Sequence, residues 1–160
     1  MSVLRPITGD EYAAWLETVI PEYAADKVAS GQWSEDSALE LSRKEYEDLL
    51  PGGKDTENNH IHTVLDPEGR PVGTLWFGVK DRAKKRVAYV FDIVVGSEHR
   101  RRGHAFRAFL AMEQEVARLG LDGIALHVFG HNQAAHALYV KLGYVATNIN
   151  MFKPVARSHA

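Results

Sequence analysis

The chain has 160 residues, 45% hydrophobic, 25% charged and 9% aromatic, the size and composition of one globular domain with a core of its own. It contains no cysteine, which excludes a disulfide framework, a thiolate metal site, an iron–sulfur cluster and any relay of an acyl group through a protein thiol. The formal charge of −2 conceals halves of opposite sign: residues 1–69 hold 5 Lys/Arg against 15 Asp/Glu, and residues 70–160 hold 14 against 6.

The opening stretch MSVLRPITGDEYAAW lacks the apolar run of a secretory signal, and no run of about 18 apolar residues occurs anywhere, so a cytoplasmic protein without a membrane span is expected. A short strand is predicted at residues 2–6. Thr8 and Glu11 then have the spacing of a capping box, which starts a helix. Its apolar residues Tyr12, Trp15, Leu16, Val19 and Ile20 fall on one helical face. Pro21 is expected to end or kink it, because proline lacks the amide donor and crowds the preceding turn. A second helix is predicted from Ser34 to about Leu50, stopped by Pro51-Gly52-Gly53, and residues 51–59 read as a polar loop.

From residue 60 the apolar period shortens toward two. Strands are predicted at 60–66 and 71–79, joined by the turn Asp66-Pro67-Glu68-Gly69. After a turn at Asp81–Lys85, the nearly continuous apolar run at 86–95 suits a strand covered on both faces, at the centre of the sheet. A helix follows at about 101–119, with Ala105, Phe109, Met112, Val116 and Leu119 along one side and Gly120 at its end. A strand at 122–129, a helix at 132–142 capped by Gly143, and a last strand at 144–152 complete the series. Val145, Thr147, Ile149 and Met151 alternate in that last strand, and residues 156–160 read as a flexible tail. The order implies a mixed α/β single domain over residues 1–155.

Two strings carry the chemistry. In DIVVGSEHRRRGHAFRAFL an apolar strand runs into a turn, an arginine cluster, a glycine and a helix start. Backbone N–H groups in a first helical turn have no intrahelical partner, and the helix dipole places partial positive charge there. Gly103 and the small Ala105 let a phosphate approach the backbone, while Arg100, Arg101, Arg102 and Arg107 add fixed charge. The string is neither a P-loop nor a three-glycine dinucleotide turn. Read alone, it also fits a solvated or nucleic-acid-facing basic patch. In the second string, LHVFGHNQAAHALYVKLGY, Asn132 stands at a strand-to-helix junction and Tyr139 follows seven residues later on the inward face.

Together the two strings resemble the GNAT N-acetyltransferases. The Arg/Gln-x-x-Gly-x-Gly/Ala motif of that superfamily corresponds to Arg100 through Ala105. Its Asn-x-x-Ala-x-x-Leu-Tyr-x-Lys-x-Gly-Phe/Tyr motif corresponds to Asn132, Ala135, Leu138, Tyr139, Lys141, Gly143 and Tyr144. The resemblance spans residues 60–152. The first sixty residues match only as a helix followed by a helix, in the region that usually shapes the acceptor site. It implies a mixed, mostly antiparallel sheet, splayed at two central parallel strands and flanked by about four helices.

It also implies an acetyl-CoA-binding core at 60–152. Ile93, Val94 and Val95 would offer backbone hydrogen bonds to the pantetheine arm, and Arg100, Arg101, Arg102, Gly103, His104 and Ala105 would wrap the diphosphate. Asn132 would touch pantetheine besides capping its helix, and Lys141 belongs to the same motif. Ala105 stands where glycine is commoner. Core packing for Ile93 and Val95, and a cap alone for Asn132, remain the simpler alternatives.

Acetyl transfer to an amine needs an acceptor freed of its proton, a donor for the developing oxyanion and a proton for the departing thiolate. By the resemblance Tyr139 is the general acid, against the alternative that its ring only packs. A backbone N–H at Val95 or its neighbour would serve the oxyanion. Asp92 interrupts the apolar strand AYVFDIVV, and an unpaired carboxylate there is costly, so it is either partnered or facing a wet cleft. That makes it the candidate base or amine-orienting group, ahead of Glu98 and beside a water chain with no dedicated base. Strict alternation puts Asp92 on one face with Val90 and Val94, opposite Phe91 and Ile93. The histidines at 60, 62, 127, 131 and 136 lack metal-site spacing, and no metal is expected.

The expected function is therefore direct transfer of an acetyl group from acetyl-CoA to a primary amine of a small molecule or a protein, through a ternary complex. A non-catalytic acyl-CoA-binding module is the rival, and a nucleic-acid binder the third and least favoured. The acidic first half favours a cationic acceptor. The acceptor's identity, the acyl length and a possible homodimer stay open.

Overall fold

The computed structural model describes residues 3–158, and its first helix, α1 (Gly9–Ala29), starts as the spacing predicts. Thr8 Oγ1 accepts from the Glu11 N–H at 3.2 Å, and Glu11 Oε1 accepts from the Thr8 N–H at 3.0 Å. The same carboxylate receives the Arg5 guanidinium at 3.0 Å and the Thr63 hydroxyl at 2.9 Å. Arg5 lies on β1 (Leu4–Pro6) and Thr63 on β2 (Asn59–Leu65), so one side chain caps the helix and pins it to two strands. These bonds, the Arg5 contact foremost, hold the Glu11 carboxyl down at about 2.

Pro21 does not end the helix, which continues to Ala29. A proline inside a helix costs roughly 3 kcal/mol, but Trp15, Val19, Ile20 and Ala24 bury one continuous face on both sides of it. Each such burial is worth on the order of 1–3 kcal/mol, which outweighs the local penalty. The second helix, α2 (Ala38–Leu49), starts later than Ser34. Ser34 instead opens a turn, its carbonyl accepting from the Ser37 N–H. Ser42 of α2 donates its hydroxyl to the Ile20 carbonyl at 2.7 Å, beside Pro21, and clamps the two helices together.

The remaining strands are β3 (Pro71–Arg82), β4 (Lys85–Val95) and β5 (Gly123–Leu126), and the sheet order is β1-β2-β3-β4-β5. All neighbours are antiparallel except β4 and β5, which are parallel. Helix α3 (His104–Arg118) and helix α4 (Gln133–Lys141) cover one face. There Phe109, Met112 and Tyr139 pack on Leu75, Phe77 and Val90. On the other face α1 and α2 bring Trp15, Val19 and Tyr46 against Ile61 and Trp76. The mixed α/β domain with four helices is as expected. No helix among the described residues is long and apolar enough to cross a membrane.

Three departures shape the site. Trp76 of β3 pairs with Asp92, yet Phe77 pairs with Val90, which leaves Phe91 as an extra residue in β4. Such a bulge breaks strict alternation. Phe91 and Asp92 consequently face α1 together, Phe91 stacking on Trp76 at 4.3 Å, while Val90 and Ile93 pack toward α3. The alternation reading, which grouped Asp92 with Val90, is corrected by this one residue.

Second, β5 ends at Leu126 and pairs with β4 only over Val87–Val90. From Phe91 to Val95, β4 keeps β3 on one side and has a gap on the other. The sheet is opened where the resemblance expected a splay.

Third, residues 144–152 form no strand, so β5 is the edge of the sheet. Val145, Ile149, Met151 and Phe152 are 81%, 72%, 90% and 89% exposed. Alternation makes a strand only when a neighbouring edge supplies hydrogen bonds, and here none does. Of the expected tail, residues 159 and 160 lie outside the described residues, as do Met1 and Ser2.

Candidate active site

Where β4 and β5 part, a cleft of about 560 Å³ opens between the two helical layers. Its floor is Trp76, Phe91, Asp92 and Ile93; α1 and α2 supply Tyr23, Asp26, Glu45 and Tyr46; and the far wall is Leu126, His127, Asn132 and Tyr139. Asp92 and Tyr139, 47 positions apart in the numbering, thus line one space.

Asp92 is half-buried, and its Oδ2 accepts the Trp15 indole N–H at 3.3 Å. Trp15 is held edge-on against Trp76 and Tyr46, with ring centroids 5.6 Å and 6.0 Å apart. Burial pushes the Asp92 carboxyl up to about 7; the Trp15 bond opposes this, and the charges of Glu22 and Asp26 add to it. A carboxylate poised there ionises in the range where a general base works best.

Tyr139 is 8% exposed and stands edge-on to Phe109 of α3 at 5.4 Å. Burial, and then the Asp92 charge, push its phenol up to about 12, so it remains protonated at neutral pH. Asn132 both caps α4, its side-chain oxygen accepting from the Ala135 N–H at 3.1 Å, and lines the cleft. The cap leaves Asn132 on the cleft wall.

Ile93, Val94 and Val95 occupy the half of β4 that faces the gap. They pair with Leu75, Thr74 and Gly73 of β3, and the polar groups turned the other way have no neighbouring strand. The Val95 carbonyl accepts from Arg100 Nε at 3.1 Å, so Arg100 folds back on its own strand.

The bend before α3 is built by two left-handed residues, Arg101 (φ 64°) and Gly103 (φ 78°). Helix α3 begins at His104, three residues after the expected start. Arg107 is the first residue whose N–H reaches back within the helix, to the Gly103 carbonyl, which leaves the amides of the first turn without helical partners. Arg101, Arg102 and Gly103 are exposed beside them. Arg107 donates to the Arg102 carbonyl at 3.1 Å and lies 2.6 Å from His104 Nδ1. His104 is only 6% exposed, so what it presents to the bend is its amide rather than its ring. Burial, then Arg107, lower its pKa. Lys141, at the end of α4, rests its ammonium over the Phe106 ring at 5.0 Å, next to this first turn. The donor set, amides with an exposed arginine pair, suits a diphosphate.

From the sequence Trp15, Trp33, Trp76 and the tyrosines read as core or rim residues by default and as candidates for a pocket lining; Tyr23, Tyr46, Trp76, Tyr89 and Tyr139 line the cleft, and Trp15 and Trp33 do not. Trp15 was legible as an inward residue of its helix, but nothing local points to a partner on β4. Tyr23, Tyr46 and Tyr89 carry no motif, and Lys80 is placed only by the sheet, its ammonium over Tyr89 and Phe91 at 4.6 Å and 4.8 Å. Glu98 sits in the exposed turn, bonded by Ser97 and away from the cleft. His60 and His62 stack on Phe77 at 4.9 Å and 6.1 Å and do not join it. Among the described residues no three His, Asp or Glu side chains converge as metal ligands would.

Comparison with known proteins extends this geometry. The profile of the acetyltransferase (GNAT) family matches residues 16–144. The uncharacterized N-acetyltransferase YdgE of Bacillus subtilis is 31% identical over 150 residues, covering 94% of this chain and 96% of that protein. The uncharacterized N-acetyltransferase YycN of the same organism is 32% identical over 151 residues, covering 94% and 97%. The crystal structure of YycN superposes with a TM-score of 0.90, covering 96% of this chain and 98% of that one.

Proposed function

Because the chain belongs to the acetyltransferase (GNAT) family, we propose that it transfers an acetyl group from acetyl-CoA directly to a primary amine, with both substrates bound together. The observation that carries this reading is the meeting of Asp92 and Tyr139 in one cleft at the mouth of the opened sheet. Acetyl-CoA supplies the activated thioester. The exposed Arg101 and Arg102 and the free amides from Gly103 to Ala105 hold its diphosphate, and the edge of β4 at Ile93, Val94 and Val95, which no strand covers, receives the pantetheine arm. Lys141 adds positive charge near the same helical turn, and Asn132 meets the arm from α4.

The acceptor amine enters from the side formed by residues 1–59, whose Tyr23, Asp26, Glu45 and Tyr46 line the cleft. Asp92, with its carboxyl raised to about 7 by burial, takes a proton from the incoming ammonium directly or through water. A backbone N–H of Val95 or its neighbour donates to the carbonyl oxygen as charge develops on it. The amine nitrogen bonds the acetyl carbon, the carbon–sulfur bond breaks, Tyr139 gives its proton to the sulfur, and the surplus proton on the nitrogen passes through solvent to restore the phenol. The products are an amide and a free thiol, and no protein nucleophile is required.

The test is thiol release from acetyl-CoA across a panel of small amines and lysine peptides, with Tyr139→Phe in parallel. Turnover that needs an amine and falls in the variant supports the proposal. Uptake of acetyl-CoA with no turnover for any amine, and no effect of the variant, identifies an acyl-CoA-binding module instead.

A further inference from the structure

Along its acceptor side the cleft changes the sign of its charge. Near Asp92 the neighbouring charges are acidic: after burial, those of Glu22 and Asp26 act on its carboxyl. At the outer end they are basic. Burial raises the Tyr89 phenol and the Arg82 charge opposes this, while burial lowers the His127 imidazole and the Lys27 charge adds to it. Lys27 and Lys80 both line this end.

Neither lysine is neutralised by the protein. Lys80 rests its ammonium over Tyr89 and Phe91, at 4.6 Å and 4.8 Å. Lys27 lies over Tyr23 and Trp33, at 5.5 Å and 5.2 Å, and donates to the Gln32 side-chain oxygen at 3.0 Å. Among the described residues neither forms a salt bridge. The cleft carboxylates are engaged elsewhere: Asp26 meets His131 at 3.3 Å, and Glu45 stands by the Tyr23 phenol, which burial and then Glu45 push up. An ammonium resting on aromatic faces keeps N–H donors free for a ligand.

The sheet builds the position of Lys80. Between Trp76 and Lys80 on the same face of β3 stands Gly78, where a Cβ would lie 2.8 Å from the Phe91 ring. The missing side chain leaves room for Phe91, which stacks on Trp76 and carries the Lys80 ammonium. Lys80 pairs with Val87, and Asp92 lies five residues further along β4, one of them the extra residue of the bulge. The four remaining strand steps make about 13 Å, which the lean of the lysine toward Phe91 shortens.

We propose that the acceptor is an amino acid whose amine and carboxylate are separated by a short chain: the amine meets Asp92, and the carboxylate pairs with the Lys80 ammonium, with Lys27 adding charge from α1. This rests on the acetyl-transfer reading above and names its substrate class. The acidic inner end attracts the ammonium and the basic outer end holds the carboxylate, so charge decides which end of the molecule reaches the thioester.

Three acceptors of equal length test this with the full-length protein and acetyl-CoA: ε-aminocaproate, hexylamine and hexamethylenediamine, whose far ends carry a carboxylate, no charge and a second ammonium. kcat/KM is expected to be highest for ε-aminocaproate, by about tenfold over hexylamine. Lys80→Gln is expected to erase most of that ratio through KM, Lys80→Arg to keep it, and Lys84→Gln, in the exposed turn between β3 and β4, to leave it unchanged. A preference for the diamine or for hexylamine, or a carboxylate preference that survives Lys80→Gln, would overturn the carboxylate contact while acetyl transfer stands. No turnover with any amine would instead overturn acetyl transfer. Calorimetry of ε-aminocaproate and hexylamine on the protein loaded with coenzyme A then decides the contact by itself. Tighter binding of ε-aminocaproate that is lost in Lys80→Gln supports it, and equal binding of the two overturns it.

Discussion

Trp15 of the first helix donates its indole N–H to Oδ2 of Asp92, 77 positions along the chain, at 3.3 Å. This bond joins the helical layer to the bulged strand and favours the charged form of a carboxyl that burial otherwise neutralises. Trp15→Phe keeps an aromatic ring and removes the donor. The midpoint of the rise of kcat/KM with pH is expected to move up from about 7, by roughly one unit for one lost hydrogen bond. A purely structural role for Trp15 lowers activity without moving the midpoint.

The buried Asp92 carboxyl makes stability depend on pH. Its folded-state pKa, about 7, lies above the ordinary 3.8, so the folded protein holds a proton that the unfolded chain releases. Stability from this group falls as pH rises from about 4 through about 7, and the full cost persists above. Asp92→Asn is expected to raise the unfolding free energy at pH 8 by on the order of 2–4 kcal/mol, to change it little at pH 3.5, and to abolish most turnover. Urea melts at the two pH values check this. Equal effects at both would contradict it.

Tyr139→Phe removes only a hydroxyl from a ring packed on Phe109. kcat is expected to fall by about 10²-fold, the usual worth of a positioned acid, with acetyl-CoA affinity nearly unchanged. Calorimetry and single-turnover rates separate the two. Because the phenol lies near 12, loss of the acid should not limit the wild-type rate near neutral pH.

Gly103 adopts a φ of 78°, and a Cβ there would sit 3.1 Å from the Arg107 guanidinium. Gly103→Ala is expected to cost about 1 kcal/mol of stability. It should weaken coenzyme A binding by about tenfold, while leaving acetyl-pantetheine, which lacks the diphosphate, unaffected. Competitive binding of the two ligands measures the difference, and equal losses for both would rule out diphosphate binding at the bend before α3.

Ser42 is fully buried, and its one hydrogen bond reaches the Ile20 carbonyl beside Pro21. Ser42→Ala should cost about 1–2 kcal/mol, lowering Tm by roughly 2–8 °C, with no change in the pH dependence of activity. Thermal melts and the pH profile together test it.

Local rules reached a good part of this molecule. The capping box at Thr8 and Glu11 and the inward faces of α1 and α3 depend on contacts within a few residues. The glycine-led bend before α3 and the Asn132 cap do so too, and the order of neighbouring side chains encodes them. The two motif strings are local for the same reason, because a helix N-terminus and its flanking charges make an anion site without help from distant chain.

What escaped was decided between segments. Pro21 remains inside α1 because packing against α2 and the sheet outweighs a local penalty that sequence rules treat as a stop. The bulge at Phe91 arises from the register of β4 on β3, and it alone turns Asp92 toward Trp15. Residues 144–152 carry the alternation of a strand, but a strand exists only where another backbone supplies its hydrogen bonds. Residue types and their spacing determined where the helices lie, the bend before α3 and the candidate acid and base. Only the tertiary structure decided which side of the sheet each faced and what raised the Asp92 carboxyl, because burial and register belong to pairs of segments and not to either one.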